Sequence, residues 1–281
     1  MSESTGLNGN IKSMKLYRHV DRVLTELQYL GKGEQGPLSA SELSPFDQLH
    51  YHGTESVDEA IRATGITASS SVLEIGSGLG GPARHIAATA GAKVTALELQ
   101  NDQNELASHL SARCGLAEKV AHVCGDFLTH EWFTQHFDVI VSWLALYHIP
   151  ERNVLLERCY GLLHKGGYFF TEDLYARKEF TDSERSELAT ELFANCLPDY
   201  DTYLQDLKTA GFELVSAEEM SDDWTAFTRE RLAAYRAHKA RHIDVHGEAV
   251  FTAMEHFYDV VVRHFSGGKL GGIRIVARKV Q

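Results

Sequence analysis

The chain has 281 residues, of which 43% are hydrophobic, so it is long and apolar enough to bury a sizeable core. Its net charge of −12, with lysines and arginines interspersed among acids, argues against nucleic acid as a partner. The four cysteines form no C-x-x-C pair, and no apolar run approaches the ~18 residues of a membrane span. We therefore expect a soluble, cytoplasmic protein that has no membrane partner.

The first part of the chain is predicted to be helical. Apolar residues recur at helical spacing over residues 14–30, which predicts a helix there. Residues 34–44 are rich in Gly, Pro and Ser and predict a loop. Residues 54–64 again predict a helix, with Thr54 or Ser56 as its N-cap.

A glycine-rich turn follows the first predicted strand. The apolar run 71–75 leads directly into Gly76, Gly78 and Gly80, and a helical pattern begins after them. Glycines allow the backbone to approach a ligand closely, and the first turn of a helix offers unpaired N–H groups. This strand, turn and helix predict a site for a nucleotide-like cofactor.

Acidic and aromatic residues stand at the ends of the next three predicted strands. The second strand ends at Glu98, which lies 22 residues after Gly76 (98 minus 76), close to the ~20 expected of an acid that binds a ribose. The third strand leads to Asp126, and the fourth leads to Trp143. Ligands bind at the carboxyl ends of strands in open α/β sheets, so we expect these side chains to share one site.

Three further strands are predicted over residues 167–172, 212–216 and 273–277, and the first of them leads to Asp173. Alternation of strands and helices predicts right-handed βαβ units. The expected fold class is therefore α/β, with a Rossmann-like seven-stranded, mostly parallel sheet and helices on both faces.

A long helical stretch separates the last two predicted strands. Residues 222–265 are charged and helical in pattern, and together with residues 181–197 they are predicted to form a helical cap over the site. We divide the chain into an N-terminal helical segment with its loop, residues 1–45, and a second domain, residues 46–281, which includes the cap.

The strand-end residues resemble those of the class I S-adenosylmethionine-dependent methyltransferases. The first motif of that family is similar to Val72-Leu-Glu-Ile-Gly-Ser-Gly-Leu-Gly80, and its ribose and adenine acids match Glu98 and Asp126. Within the family, the chain is most similar to the phosphoethanolamine and sarcosine/dimethylglycine N-methyltransferase group. The motif beginning Tyr51-His-Gly and the tail Ser266-Gly-Gly-Lys-Leu-Gly-Gly-Ile273 carry this second likeness.

The resemblance implies S-adenosyl-L-methionine as the cofactor and methylation of a small molecule, most simply an amine, as the reaction. The implied cofactor-binding residues are Glu74, Gly76, Ser77, Gly78, Gly80, Glu98, Leu99, Asp126 and Phe127, with Gly53 ahead of the first strand. A monomer or a homodimer fits this family.

His148 is the candidate catalytic base, because an amine must lose its proton before it attacks a methyl group. It matches the histidine after the fourth strand that this group places near the acceptor; the alternative is that His148 only caps the next helix. The group also closes a tyrosine from its N-terminal segment over the donor, and Tyr29 and Tyr51 are both candidates, each with a buried structural aromatic as the alternative.

The candidate acceptor-binding residues are mainly aromatic, which suits an ammonium group through cation–π attraction. They are Trp143, Tyr147, Asp173, Tyr175 and Trp224, each with a plain core position as the alternative. The phosphoethanolamine enzymes have an aspartate where this chain has Leu144, so an acceptor that is less anionic, or that has an apolar part, fits better.

Several other functions share these features. The acceptor atom is also consistent with oxygen or sulfur, and a non-catalytic S-adenosylmethionine-binding module would keep the same cofactor residues. An NAD-dependent oxidoreductase is disfavoured by the G-x-G-x-G spacing. His238, His242 and His246 lie four residues apart, but Arg241 and Lys239 lie between them, so we expect a solvated helix face and no metal site.

Overall fold

The computed structural model describes residues 19–281 and contains one seven-stranded sheet. The strands are β1 Ser71–Ile75, β2 Lys93–Glu98, β3 Val120–Cys124, β4 Phe137–Trp143, β5 Leu163–Ala176, β6 Phe212–Glu219 and β7 Leu270–Lys279. Their spatial order is β3-β2-β1-β4-β5-β7-β6. The first five run parallel, whereas β7 is antiparallel to both β5 and β6. The predicted fold class is confirmed.

Helices connect the strands and extend beyond the sheet. They are α1 Arg22–Tyr29, α2 Ala40–Asp47, α3 Thr54–Thr64, α4 Gly81–Ala90, α5 Asn101–Arg113, α6 Arg152–Leu162, α7 Asp182–Glu187, α8 Tyr200–Thr209, α9 Ser221–Ala237, α10 Lys239–His246 and α11 Glu248–Ser266. A 3-10 turn spans Leu146–His148, and a π-helical turn spans Leu188–Leu192. None of the helices in this part of the chain has the length and apolar character to cross a bilayer.

The sheet is buried on both faces because its strands carry apolar side chains at successive positions. Val72 and Val139 belong to one core, whereas Leu73 and Ile140, their chain neighbours, belong to the core of the opposite face. A third core lies outside the sheet and joins α9 and α11 to the π-helical turn. This third core fixes the inserted helices over the carboxyl ends of the parallel strands.

The N-terminal region departs from the predicted elements. The helix predicted over residues 14–30 begins at Arg22, and its first residues, 14–18, lie outside the described part of the chain. The loop predicted over residues 34–44 is wrong in its second half, because α2 begins at Ala40. Ser39 and Glu42 cap α2 reciprocally, which stabilises a helix in a segment of loop-like composition.

Two smaller predictions also need correction. Neither Thr54 nor Ser56 is the N-cap of α3; Gly53 holds that position, with a positive φ of 52°. The fifth strand is longer than predicted, because β7 pairs with it as far as Ala176. Asp173 and Tyr175 therefore lie within a strand. The insertion before the last strand is helical, as predicted, and consists of α9, α10 and α11.

Candidate active site

Two cavities adjoin each other at the carboxyl ends of the parallel strands. The smaller, of about 130 Å³, lies against the ends of β1, β2, β3 and β4. The larger, of about 450 Å³, lies between α1 and the helices α9, α10 and α11. Leu49, His50, Gln103 and Leu144 line both cavities, so a molecule in one can touch a molecule in the other.

The glycine turn after β1 forms the floor of the smaller cavity. Gly76 and Gly78 have positive φ values of 74° and 52°, a region that disfavours residues with a Cβ. A Cβ on Gly76 would also collide with the Cβ of Ala145. The N–H groups of Gly76 and Ser77 both donate to the carbonyl of Leu97 at 2.9 Å, which joins the turn to β2.

Glu98 holds the same turn from the end of β2. Its carboxylate accepts the N–H of Gly78 at 2.8 Å and the N–H of Gln100 at 2.9 Å. Burial raises the pKa of Glu98, and these two hydrogen bonds oppose that effect. Asp126, at the end of β3, accepts the N–H of Leu128 at 2.8 Å and also lines the cavity.

The smaller cavity fits a polar cofactor because three of its buried polar atoms have no partner among the described residues. They are Glu74 Oε2, Ser77 Oγ and Gln100 Oε1. Burial raises the pKa of Glu74 to about 8, although the charge of Arg84 acts in the opposite direction. A ligand that offers hydrogen bonds and positive charge would satisfy these groups.

Eight of the ten predicted cofactor residues line the smaller cavity. They are Glu74, Gly76, Ser77, Gly78, Glu98, Leu99, Asp126 and Phe127. Gly80 instead lies behind the turn, where a Cβ would come within 2.8 Å of the His122 ring. Gly53 lines the larger cavity. Their contact with a cofactor stays a prediction.

His148 lies in the wall of the smaller cavity. Its Nδ1 donates a hydrogen bond to the carbonyl of Phe193 at 2.9 Å, so the second proton-binding atom of a neutral ring is Nε2. Burial lowers the pKa of His148 to about 4. The alternative role as a helix cap is not supported, because Glu151 is the N-cap of α6.

The structure separates the two candidate tyrosines. Tyr51 is 4% exposed and lines the larger cavity, whereas Tyr29 is 54% exposed and packs beside Arg241 outside it. Tyr51 contacts the ring of Trp224 edge-on, with the ring centres 4.9 Å apart. Of the two, Tyr51 is placed to meet an acceptor.

The predicted acceptor residues divide in the same way. Trp143 lines the smaller cavity and Tyr147 the larger one. Asp173, Tyr175 and Trp224 line neither, since each is buried beneath the site. Asp173 accepts the Tyr147 N–H at 3.2 Å and so orients the turn that carries Tyr147.

Sequence reasoning missed His50 and Gln103. His50 is 5% exposed, and its Nε2 donates to the carbonyl of Gly53 at 2.9 Å. Burial lowers the pKa of His50 to about 4, so the ring is neutral at physiological pH. His50 lies between two helices, where no periodicity marks it, and only its place beside Tyr51 in the quoted motif could have indicated it.

The histidines of α10 do not form the solvated face that we expected. His242 and His246 line the larger cavity together with Glu26 from α1. The Nε2 of His246 lies 2.8 Å from Glu26, and Arg241 pairs with the same carboxylate. Because Arg241 already compensates the charge of Glu26, this group attracts a metal ion weakly.

Comparison with known proteins identifies the family. The family model described as mycolic acid cyclopropane synthetase matches residues 44–273, most of the chain. The chain belongs to the mycolic acid cyclopropane synthetase family. Membership confirms the predicted S-adenosylmethionine-dependent methyltransferase class and its cofactor, in preference to the NAD-dependent alternative.

Curated relatives in the family include the sterol 24-C-methyltransferase erg-4 of Neurospora crassa. It is 31% identical over 215 residues, which cover 74% of this chain and 56% of the relative. A sterol 24-C-methyltransferase of Gibberella zeae, ERG6B, is 31% identical over 175 residues, 58% of this chain and 45% of the relative. The chain thus spans about half the length of these relatives.

Solved structures agree on the family fold. Phosphoethanolamine N-methyltransferase 2 of Haemonchus contortus has a TM-score of 0.80 at 16% identity, covering 96% of this chain and 59% of that one. The cyclopropane synthase MmaA2 of Mycobacterium tuberculosis has a TM-score of 0.68 at 18% identity, covering 80% and 84%. At this identity the likeness concerns the fold.

Proposed function

We propose that this protein transfers a methyl group to a carbon atom of an unsaturated, largely apolar small molecule bound in the larger cavity. The observation that carries the proposal is the wall of that cavity. Aliphatic and aromatic side chains dominate it, among them Val23, Phe46, Leu49, Leu174, Phe257 and Val261. Such a cavity binds ligands mainly by removing apolar surface from water.

The properties of His148 favour carbon over nitrogen as the acceptor atom. The cofactor would supply a methyl group bound to a positively charged sulfur. A neutral amine is needed to attack it, and taking the proton from an alkylammonium with a pKa near ~10 is unfavourable for a base with a pKa of about 4. The gap of roughly six pKa units corresponds to about 8 kcal/mol.

An alkene needs no prior loss of a proton. Its π electrons form the new carbon–carbon bond while the carbon–sulfur bond breaks, and the positive charge passes to the neighbouring carbon. Aromatic faces such as those of Tyr51 and Tyr147 stabilise such a charge. A proton beside a cationic carbon is strongly acidic, so the neutral His148 is basic enough to accept it.

Relatives named for 24-C-methylation of sterols support carbon as the acceptor atom. The amine that we predicted from the sequence is the second candidate. The observation that favours it is that Tyr147 and His148 stack with ring centres 4.0 Å apart, which places an aromatic face and an imidazole together. Oxygen and sulfur acceptors would also be served by His148.

The test is a mass-spectrometric methyl-transfer assay with S-adenosylmethionine and a mixed panel. The panel contains geraniol, sarcosine, dimethylglycine, phosphoethanolamine, a catechol and a small thiol. We expect methylation of geraniol at carbon, and none in a Glu98→Ala control that binds the cofactor poorly. Methylation of the amines alone would transfer the proposal to nitrogen. Silence across the panel, with cofactor binding confirmed, would favour a non-catalytic binding module.

A further inference from the structure

Arg231, on α9, presents an uncompensated positive charge to the larger cavity. Its guanidinium lies 4.9 Å from the centre of the Tyr51 ring, 4.7 Å from that of Tyr258 and 5.5 Å from that of Phe227. Its Nε is buried and has no hydrogen-bond partner. No carboxylate within residues 19–281 lies within ion-pair distance of it.

The charge of the cavity wall contrasts with that of the whole chain. The lining includes three arginines, Arg22, Arg231 and Arg241, but one carboxylate, Glu26. Glu26 is engaged by Arg241 and His246, so it does not neutralise Arg231. A protein with a net charge of −12 therefore encloses a positively charged cavity.

We propose that Arg231 binds an anionic group, a carboxylate or a phosphate, at the end of the acceptor farthest from the reacting carbon. The inference rests on the proposed function, since it names a feature of the same acceptor. An arginine presents several N–H donors in a plane that matches both anions. Tyr51 beside it adds a hydroxyl, and burial, which raises the pKa of Tyr51, keeps that hydroxyl protonated.

The position of Arg231 also orients the acceptor. Its neighbour Tyr51 is adjacent in the chain to His50, which lines both cavities. An anion held at Arg231 would direct the apolar body of the molecule toward His50 and the cofactor cavity. A cationic amine would be repelled, because the guanidinium already occupies the ring faces that could have bound an ammonium.

The experiment is calorimetry of the full chain saturated with S-adenosylhomocysteine. Three probes share one diene chain and differ at its end: geranic acid, geranyl phosphate and geraniol. We expect Arg231→Met to weaken one or both anions by about 10- to 100-fold and geraniol by less than about threefold. Arg231→Lys should retain part of the anion affinity. Arg229→Met is the matched control, because Arg229 lies on the same helix but is exposed and bonds Ser266.

The two anions distinguish a carboxylate from a phosphate as the preferred group. Equal losses for geraniol and the anions would mean that Arg231 only packs the wall, and this would overturn the proposal. Failure of both anions to bind the wild-type chain more tightly than geraniol would do the same. Because binding is measured without turnover, Arg231-dependent anion binding in a protein that methylates none of the probes would refute the carbon methylation and leave the subsite standing.

Discussion

Replacing Gly76 by alanine should damage the cofactor turn in two separable ways. The backbone of Gly76 has a φ of 74°, and an L-residue in the left-handed region costs about 1–2 kcal/mol. The new methyl would also overlap the Cβ of Ala145, and overpacking of this kind costs about 1–3 kcal/mol. Together we expect the free energy of unfolding to fall by about 2–5 kcal/mol.

Gly115 provides the control for the backbone contribution. Its φ is 69°, and no atom lies within 4 Å of the Cβ that alanine would add. Gly115→Ala should therefore lose only about 1–2 kcal/mol. Urea unfolding of both variants gives the difference directly, and calorimetry with S-adenosylhomocysteine should show at least about tenfold weaker binding for Gly76→Ala alone. Equal destabilisation, or unchanged cofactor affinity, would refute the collision with Ala145.

Four further predictions concern titratable side chains. Glu98→Ala should lower both stability and cofactor affinity, each by about 1–3 kcal/mol in calorimetry and urea unfolding, because two buried N–H groups lose their acceptor. Glu74, with its pKa raised to about 8, should ionise when a cationic cofactor binds; S-adenosylmethionine affinity should therefore rise with pH up to about 8, and Glu74→Gln should flatten that rise. His148→Ala should lower turnover while cofactor affinity is unchanged, and wild-type turnover should show no inflection from His148 between about pH 6 and 9, because its pKa is about 4. His50 has a folded pKa of about 4, below its unfolded value, so stability should decline as pH falls from about 6.5 toward 4; His50→Gln should reduce that slope by about 1.4 kcal/mol per pH unit.

The cofactor half of the site could be predicted because its signals are local in the sequence. Gly76 and Gly78 follow a buried strand directly, and Glu98 and Asp126 each stand at the end of one strand. Parallel strands bring their carboxyl ends to one edge of the sheet, so the order of the elements is enough to group these residues. The contacts around Glu98 agree with that grouping.

The N-terminal helices were harder to predict because their composition is ambiguous. Residues 40–47 include Pro45 and three serines or acids that suit a loop, and only the pairing of Ser39 with Glu42 indicates a helix. His50 then follows in an irregular segment. Its burial depends on packing against Trp143, whose ring centre is 5.6 Å away, and no local pattern reports such a contact.

The acceptor half depends on contacts between distant parts of the chain. Glu26 on α1 meets Arg241 on α10 across 215 positions of sequence. Arg231 resembles any exposed charge on a helix until Tyr51, Phe227 and Tyr258 surround it. A cavity built in this way can change its walls through the inserted helices while the sheet and its glycine turn stay the same. That separation explains why a shared fold at 16% identity leaves the acceptor undetermined, and why the residues that decide it lie outside the motifs that reveal the cofactor.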